Sequence, residues 1–99
     1  MAFNNPRAAF PNVLAVRFVY SPAQVLADQI SEDLVTIPGV PPAATPAIVT
    51  LVKPTVDAGV GPMTGRNSAA NQIGISFVNP TAGNLTPTAT ETWNALIEW

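Results

Sequence analysis

The chain contains no cysteine and no histidine, and only ten of its 99 residues are charged. Without cysteine, neither a disulfide framework nor thiol chemistry is available. Without histidine, the sequence lacks the usual zinc ligand and the side chain best suited to proton transfer near neutral pH. These absences argue against thiol-dependent redox chemistry, zinc-dependent enzymes and histidine-based nucleophilic catalysis.

The few charges are scattered along the chain. The four basic residues, Arg7, Arg17, Lys53 and Arg66, occur singly, and the formal net charge is -2. Because no basic cluster can follow a phosphate backbone, we expect no nucleic-acid partner. The hydrophobic fraction is 47% and the charged fraction 10%, whereas ordinary globular chains carry about 25% charged residues. Burial between subunits or against a larger assembly is the simplest way to cover the excess apolar surface.

The sequence also has little that suggests targeting. Its first eleven residues lack the apolar core of a signal peptide, and no apolar run approaches the roughly 20 residues that span a bilayer. We therefore expect synthesis in the cytoplasm and no membrane partner, unless the protein leaves the cell within a larger particle.

The residues that are abundant favour β-structure. Eleven Val, six Ile and ten Thr suit a pleated, half-buried surface, and eleven prolines divide the chain into segments too short for long helices. The sequence predicts an all-β fold, a small antiparallel β-sandwich or barrel of five to seven strands. Residues 13–99 would form this domain, and residues 1–12 an extended N-terminal arm.

Three segments are predicted to be strands with one apolar face each, and the alternation is clean in residues 72–79. Their ranges and expected inward residues are 13–20 (Leu14, Val16, Phe18, Tyr20), 72–79 (Ile73, Ile75, Phe77) and 92–99 (Trp93, Ala95, Ile97, Trp99). Two further strands are predicted at 34–37 and 47–53, the latter a central strand because it is apolar on both faces. Residues 55–66 contain Gly59, Gly61 and Gly65 and predict turns, with at most a short strand at Val56.

Residues 21–34 permit two interpretations. Ser21-Pro22-Ala23-Gln24 has the form of a helix capping box, and Leu26, Ile30 and Leu34 follow at helical spacing. We predict an extended path for this segment, because the family that its motifs resemble has one there.

The order of several short motifs resembles small β-sandwich proteins and fibre-end domains encoded among the structural genes of tailed phages. The motifs are Ser21-Pro22-Ala23, Leu34-Val35-Thr36-Ile37-Pro38-Gly39-Val40, Pro54, Ala58-Gly59-Val60, Asn67-Ser68-Ala69-Ala70-Asn71-Gln72-Ile73, Ile75-Ser76-Phe77-Val78-Asn79-Pro80-Thr81-Ala82-Gly83 and Thr86-Pro87. The resemblance covers residues 13–99. It departs from the family pattern after Gly39, where residues 41–46 replace the usual Gly-Asp turn, and the arm lies outside it.

The resemblance implies a non-enzymatic structural protein of a virion, assembled in the host cytoplasm. The leading expectation is a capsid decoration (cement) protein that bridges capsid subunits, with the major capsid protein or another virion protein as its partner. Self-association is expected, with a trimer favoured because phage-shell sites are commonly threefold. The alternative is a receptor- or glycan-binding module of a head or tail fibre. A weaker third hypothesis is a cell-encoded β-sandwich interaction module.

The polar residues suggest turns rather than chemistry. Glu32 and Asp33 are neighbours that would point to opposite faces of a strand, which favours a solvated strand entry. The loop from Asp57 to Gly61 lacks the lysine of a phosphate loop and the further carboxylates of a calcium site, so it predicts a turn. No serine lies in a nucleophile elbow. We therefore expect no catalytic residue, no metal and no cofactor. Structural turn roles are expected for Asn71, Asn79 and Gly83, the last through a positive φ.

Five aromatic or charged residues are candidates for an interface. Phe3, Arg7 and Phe10 lie in the predicted arm, where exposed aromatic side chains suggest docking. Trp93 and Trp99 share one face of the last strand. They could stack against a sugar, but a core or interface role is favoured for such an inward stripe.

Overall fold

Six β-strands account for the regular structure of the computed structural model, which describes residues 10–99 and, for Met63, the backbone alone. The strands are β1 (Val13–Tyr20), β2 (Gln29–Thr36), β3 (Ile48–Val52), β4 (Gly61–Ala69), β5 (Gln72–Asn79) and β6 (Glu91–Glu98). All pairings are antiparallel. Within this range no helix is long and apolar enough to cross a membrane. The predicted all-β class is confirmed.

The strands form two three-stranded sheets that pack as a β-sandwich. The first sheet has the order β1-β6-β3 and the second β2-β5-β4, so β6 and β5 are central and the other four strands are edges. The core lies between them. Its fully buried large side chains come mainly from the two central strands, with Trp93 and Ile97 from β6 and Ile73, Ile75 and Phe77 from β5.

Two of the strands have the predicted bounds. β1 and β5 begin and end where the sequence indicates, and their inward residues are those expected. β6 also presents Trp93, Ala95 and Ile97 inward, although it begins one residue earlier than predicted. Residues 21–34 contain no helix: an isolated bridge joins Val25 to Leu85, and β2 begins at Gln29. The extended path is therefore confirmed.

Three expectations about single elements are wrong. The segment around 47–53 is not a central strand, because β3 lies at the edge of its sheet. The turn predicted for residues 55–66 is wrong from residue 61 onward, where β4 (Gly61–Ala69) begins. Val56 is 98% exposed in the preceding loop rather than in a strand. Pairing with β5 stabilises β4 despite its glycines and Pro62, with register shifts at Pro62/Thr64 and Asn67/Ala69 that accommodate the irregular backbone.

Gly65 allows the two sheets to approach each other along the β3–β4 side. A Cβ at this position would lie 2.9 Å from methyl carbons of both Val49 and Leu51. Such distances are closer than van der Waals contact, so a larger residue would push β4 away from β3. The glycine that favoured a turn in the sequence is therefore a packing residue within a strand.

Candidate binding surface

The outer face of the first sheet is mostly apolar. Alternation along β1, β6 and β3 places eleven side chains on this face: Val13, Ala15, Arg17, Val19, Ile48, Thr50, Val52, Thr92, Asn94, Leu96 and Glu98. Two of these carry charge, and the larger apolar ones are well exposed, for example Val19 at 67% and Val13 at 61%. An exposed apolar sheet face of this kind is typical of an interaction surface.

A shallow groove of about 640 Å³ runs across the middle of this face. Its floor is formed where Ala15, Leu96 and Thr50 are aligned across the sheet, and where Arg17, Asn94 and Val52 form the next row. The groove therefore presents one guanidinium and one amide within an apolar surround. Such an arrangement suits contact with another protein surface, because apolar area supplies most of the affinity and the few polar groups set orientation.

The outer face of the second sheet is different, because an ion pair crosses its central strand. Arg66 on β4 donates to both carboxylate oxygens of Glu32 on β2, with Nε–Oε2 and Nη2–Oε1 distances of 2.6 and 2.7 Å. The carboxyl group lies directly over Gly74 of β5, where any side chain would collide with it. The hydrogen bond from Arg66 lowers the pKa of Glu32. The Arg66 and Glu32 side chains therefore cover part of the central strand on this face.

The neighbouring acidic residue, Asp33, points to the opposite side of β2, as predicted, and accepts hydrogen bonds from the Tyr20 hydroxyl and from the Ala23 amide. Burial and this contact with Asp33 raise the pKa of Tyr20 far above its ordinary value. Both carboxylates lie in the middle of β2 rather than at a strand entry, which corrects the sequence interpretation. Each is engaged in holding two strands together.

A charged cluster closes one end of the sandwich. Lys53, just after β3, lies 2.8 Å from a carboxylate oxygen of Asp57 and 2.8 Å from one of Glu91, the first residue of β6. The Thr55 hydroxyl donates to the other Glu91 oxygen at 2.6 Å, and the Thr88 amide donates to Asp57 at 3.0 Å. The Lys53 side chain is 6% exposed. The predicted turn at Asp57 is thus present, with Gly59 at a φ of 79°.

The hydrogen bonds of this cluster shift all three ionisable groups toward their charged forms. Burial alone would lower the pKa of Lys53, but its bonds to Asp57 and Glu91 raise that pKa above the ordinary value. Bonds from Lys53 and Thr88 hold the pKa of Asp57 at about 2. Bonds from Lys53 and Thr55 lower the pKa of Glu91. A lysine held as an ammonium is a poor nucleophile, so the arrangement acts as a structural clamp.

Asparagine side chains fix the loops, as expected for two of them. Asn71, at a φ of 60°, accepts from the Gly39 amide at 2.9 Å. Asn79 is fully buried and accepts from the amide of Thr81 two residues later, which is an Asx turn. Gly83 does not have the expected positive φ; instead its carbonyl accepts from Asn79. Asn67 was not singled out from the sequence, yet its amide donates to the Pro42 and Thr45 carbonyls.

Three of the five predicted interface residues, Phe10, Trp93 and Trp99, lie within the described part of the chain. Phe3 and Arg7 lie outside the described residues, and Phe10 is 38% exposed. Trp93 is fully buried in the core between the sheets, where its ring packs edge-on against Tyr20 and Phe77. Trp99 is half-buried against the same core. A partner cannot reach the Trp93 ring in the folded domain.

Sequence reasoning missed the apolar outer face of the first sheet. One signal was present, since residues 47–53 are apolar on both faces. That pattern predicts a central strand, whereas it belongs to an edge strand whose outward side is apolar as well.

Comparisons of the chain with protein-family models, curated proteins and solved structures found no match.

Proposed function

We propose that the protein is a non-enzymatic structural component of a tailed-phage virion, which decorates the capsid and stabilises it by bridging capsid subunits. The observation that carries the proposal is the exposed apolar outer face of the first sheet, in a chain with only ten charges. Such a face is unfavourable in water and favourable when it lies against a shell subunit. The choice of a phage capsid as the partner rests on the order of motifs that resembles phage β-sandwich proteins.

The state of the polar groups supports a structural role. Four carboxylates that could have served acid–base chemistry, those of Glu32, Asp33, Asp57 and Glu91, instead accept hydrogen bonds that hold strands and loops together. The pKa values of Glu32, Asp57 and Glu91 are lowered, whereas a general acid at neutral pH needs a raised one.

The alternative of a glycan-binding fibre module receives less support. Sugar recognition commonly uses an exposed aromatic platform, for which Trp93 and Trp99 were the candidates. The Trp93 ring is fully buried and Trp99 is half-buried. Among residues 10–99, the exposed groove of the first sheet is lined by small, aliphatic and polar side chains rather than by aromatic rings.

The proposal is tested on gradient-purified particles of the phage that encodes the chain. We expect peptides of this protein in the purified virion by mass spectrometry, and a cryo-EM map with a six-stranded sandwich on the outer shell. The sheet β1-β6-β3 should face the capsid. Absence of the chain from purified particles would overturn the proposal, and density at a fibre tip would establish the alternative.

The arm can be tested on the same particles. We propose that Phe3, Arg7 and Phe10 anchor the protein to its partner, with each buried Phe contributing roughly 1.5–3 kcal/mol. Deleting residues 1–11 should leave the circular dichroism spectrum unchanged while lowering particle occupancy. Full occupancy of the deletion variant would assign docking to the sheet face alone.

A further inference from the structure

The four edge strands of the sandwich are protected unequally. β2 carries Glu32 and an inward-pointing Asp33, β4 contains Pro62 and two register shifts, and β3 is five residues long between Pro46 and Pro54. Charges, prolines, bulges and short length are the features by which proteins prevent an edge strand from pairing with another chain. Three of the four edges therefore have such protection.

β1 lacks these features. It is eight residues long, contains no proline, pairs with β6 in an unbroken register and has a single charged residue, Arg17. Its sequence, VLAVRFVY, is rich in the branched and aromatic residues that favour β-pairing. This edge is consequently the one suited to receive another strand.

The hydrogen bonds at the end of the β1–β6 pair show which backbone groups of β1 point away from the sheet. Asn12 and Trp99 exchange both of their backbone hydrogen bonds, at 2.9 and 3.1 Å. In an antiparallel pair the bonded residues alternate, so the even-numbered residues of β1 bond to β6. The odd-numbered residues, Val13, Ala15, Arg17 and Val19, direct their N–H and C=O groups away from the sheet. Within residues 10–99, these groups have no hydrogen-bond partner.

The side chains of β1 also lack cover. Its inward residues, Leu14, Val16, Phe18 and Tyr20, are each only half-buried, whereas the inward residues Trp93, Ala95 and Ile97 of the adjacent β6 are fully or almost fully buried. The core therefore remains open on the β1 side. A strand added there would bond the free backbone groups and cover this row at the same time.

We propose that β1 pairs antiparallel with β1 of a second copy, across a twofold axis at Val16, to form a continuous six-stranded sheet. This register sets Val13 opposite Val19 of the second copy and Ala15 opposite Arg17 of the second copy. All four outward-directed residues of each strand are then hydrogen-bonded, which gives eight bonds. Pro11 and Pro22, which have no N–H group, bound the paired segment at its two ends.

The strand is complementary to itself in this register. The apolar Val13 and Val19 meet each other, and each Arg17 lies beside an alanine rather than directly opposite a second arginine. Half-buried inward side chains of both copies meet across the axis, since Leu14 faces Phe18 of the second copy. A twofold pair is a dimer, whereas the phage resemblance predicts a trimer. The inference does not depend on the proposed virion role.

The chain contains no cysteine, so a single introduced one reports the register directly. Val16→Cys places two thiols opposite each other in a pair of the type with Cα atoms about 4.5 Å apart, within the range that disulfides span. We expect rapid, near-complete dimer cross-linking under mild oxidation. Thr50→Cys, on the far edge strand of the same sheet, is the matched control and should cross-link only slowly. Equal cross-linking of both variants would overturn the proposal.

Charge variants test the same register in solution by sedimentation. Ala15→Lys sets a lysine directly opposite Arg17 of the second copy at two symmetric places, so the dimer Kd should rise by about tenfold. Adding Arg17→Glu to this variant converts both contacts into opposite-charge pairs and should restore the dimer. Thr50→Lys, at an exposed position in the same cross-strand row, should leave the Kd unchanged. A wild-type monomer at high micromolar concentration, or a trimer without Val16→Cys cross-linking, would refute the twofold pairing.

Discussion

The two ends of the sandwich hold their loops by different chemistry. At one end, the neutral side chains of Asn67 and Asn71 bind backbone groups of residues 39–45. At the other end, where β3 leads into β4, Lys53 joins Asp57 and Glu91 through charge-assisted hydrogen bonds. Neutral amides do not titrate, whereas the charged cluster does. We therefore expect pH to act on one end of the molecule and to leave the other unchanged.

The largest effect is expected from reversing the polarity of the buried amide. Asn67→Asp replaces the NH₂ donor, which lies 2.9 and 2.8 Å from the Pro42 and Thr45 carbonyls, by a carboxylate oxygen. Acceptors then face acceptors in a site where Asn67 is 8% exposed. We expect the free energy of unfolding to fall by about 2–4 kcal/mol in urea titrations. The control is Asn94→Asp at an exposed position. An equal loss of stability there would show that the hydrogen bonds of Asn67 are not the cause of the effect.

A smaller effect is expected at Asn71, where backbone strain and a side-chain bond can be separated. Asn71→Ala loses the bond from the Gly39 amide and places a Cβ residue without compensation at a φ of 60°. A loss of about 1–2 kcal/mol is expected. Asn71→Gly loses the same bond but tolerates this φ, so its loss should be smaller. If the two variants are equally unstable, strain at this turn is negligible.

The charged end should respond to acid. The folded pKa values of Asp57 and Glu91 lie below their ordinary values of 3.8 and 4.5, with Asp57 at about 2. Their contribution is therefore complete above about pH 5 and is lost as the pH falls toward 2. Lys53→Met should lower stability at pH 7 and flatten this acid limb, as measured by denaturation between pH 2 and pH 7.

The comparison with the amide end supplies the control for that titration. Asn71→Gly should shift the whole stability–pH curve downward without changing its shape, because no titrating group is altered. An acid limb that stays equally steep in Lys53→Met would show that other carboxylates, such as Glu32, determine the acid response.

The smallest effect is expected for the ion pair on the second sheet. The Arg66 side chain is 60% exposed, and such surface pairs are screened by solvent and salt. Arg66→Ala should change the denaturation midpoint little, and adding 0.5 M salt to the wild type should have a similarly small effect. A large loss would mean that the pair over Gly74 positions β2 against β4 rather than merely covering the sheet.

How far the sequence predicts this fold depends on where the determining contacts lie. The bounds of β1 and β5 are predicted correctly because each strand carries its own local signal. β1 is rich in branched and aromatic residues, and β5 alternates Ile73, Ile75 and Phe77 with small or polar residues. β4 was missed because Gly61, Pro62 and Gly65 favour turns locally, while its strand structure depends on pairing with β5 and close packing against Val49 and Leu51. The local sequence pattern therefore predicts where a strand lies but not which other strands pair with it.

The same limit applies to the candidate surface. Alternation places Val13, Ala15 and Val19 together on one side of β1, but only the packing of the two sheets makes that side the outward one. Similarly, Lys53, Asp57 and Glu91 look like isolated charges in the sequence, since Glu91 lies 38 residues from Lys53. Their cluster exists because β3 and β6 are neighbours in the first sheet.

The strand order of the first sheet has a consequence for synthesis on the ribosome. The second sheet, β2-β5-β4, can be complete once residue 79 has emerged, whereas β1 and β3 both pair only with β6, which is translated last of the six strands. Until residues 91–98 leave the exit tunnel, β1 therefore has no partner strand among residues 10–90. Nascent chains on neighbouring ribosomes of one message can pair through β1 during this interval, so slow translation of residues 80–98 should favour aggregation.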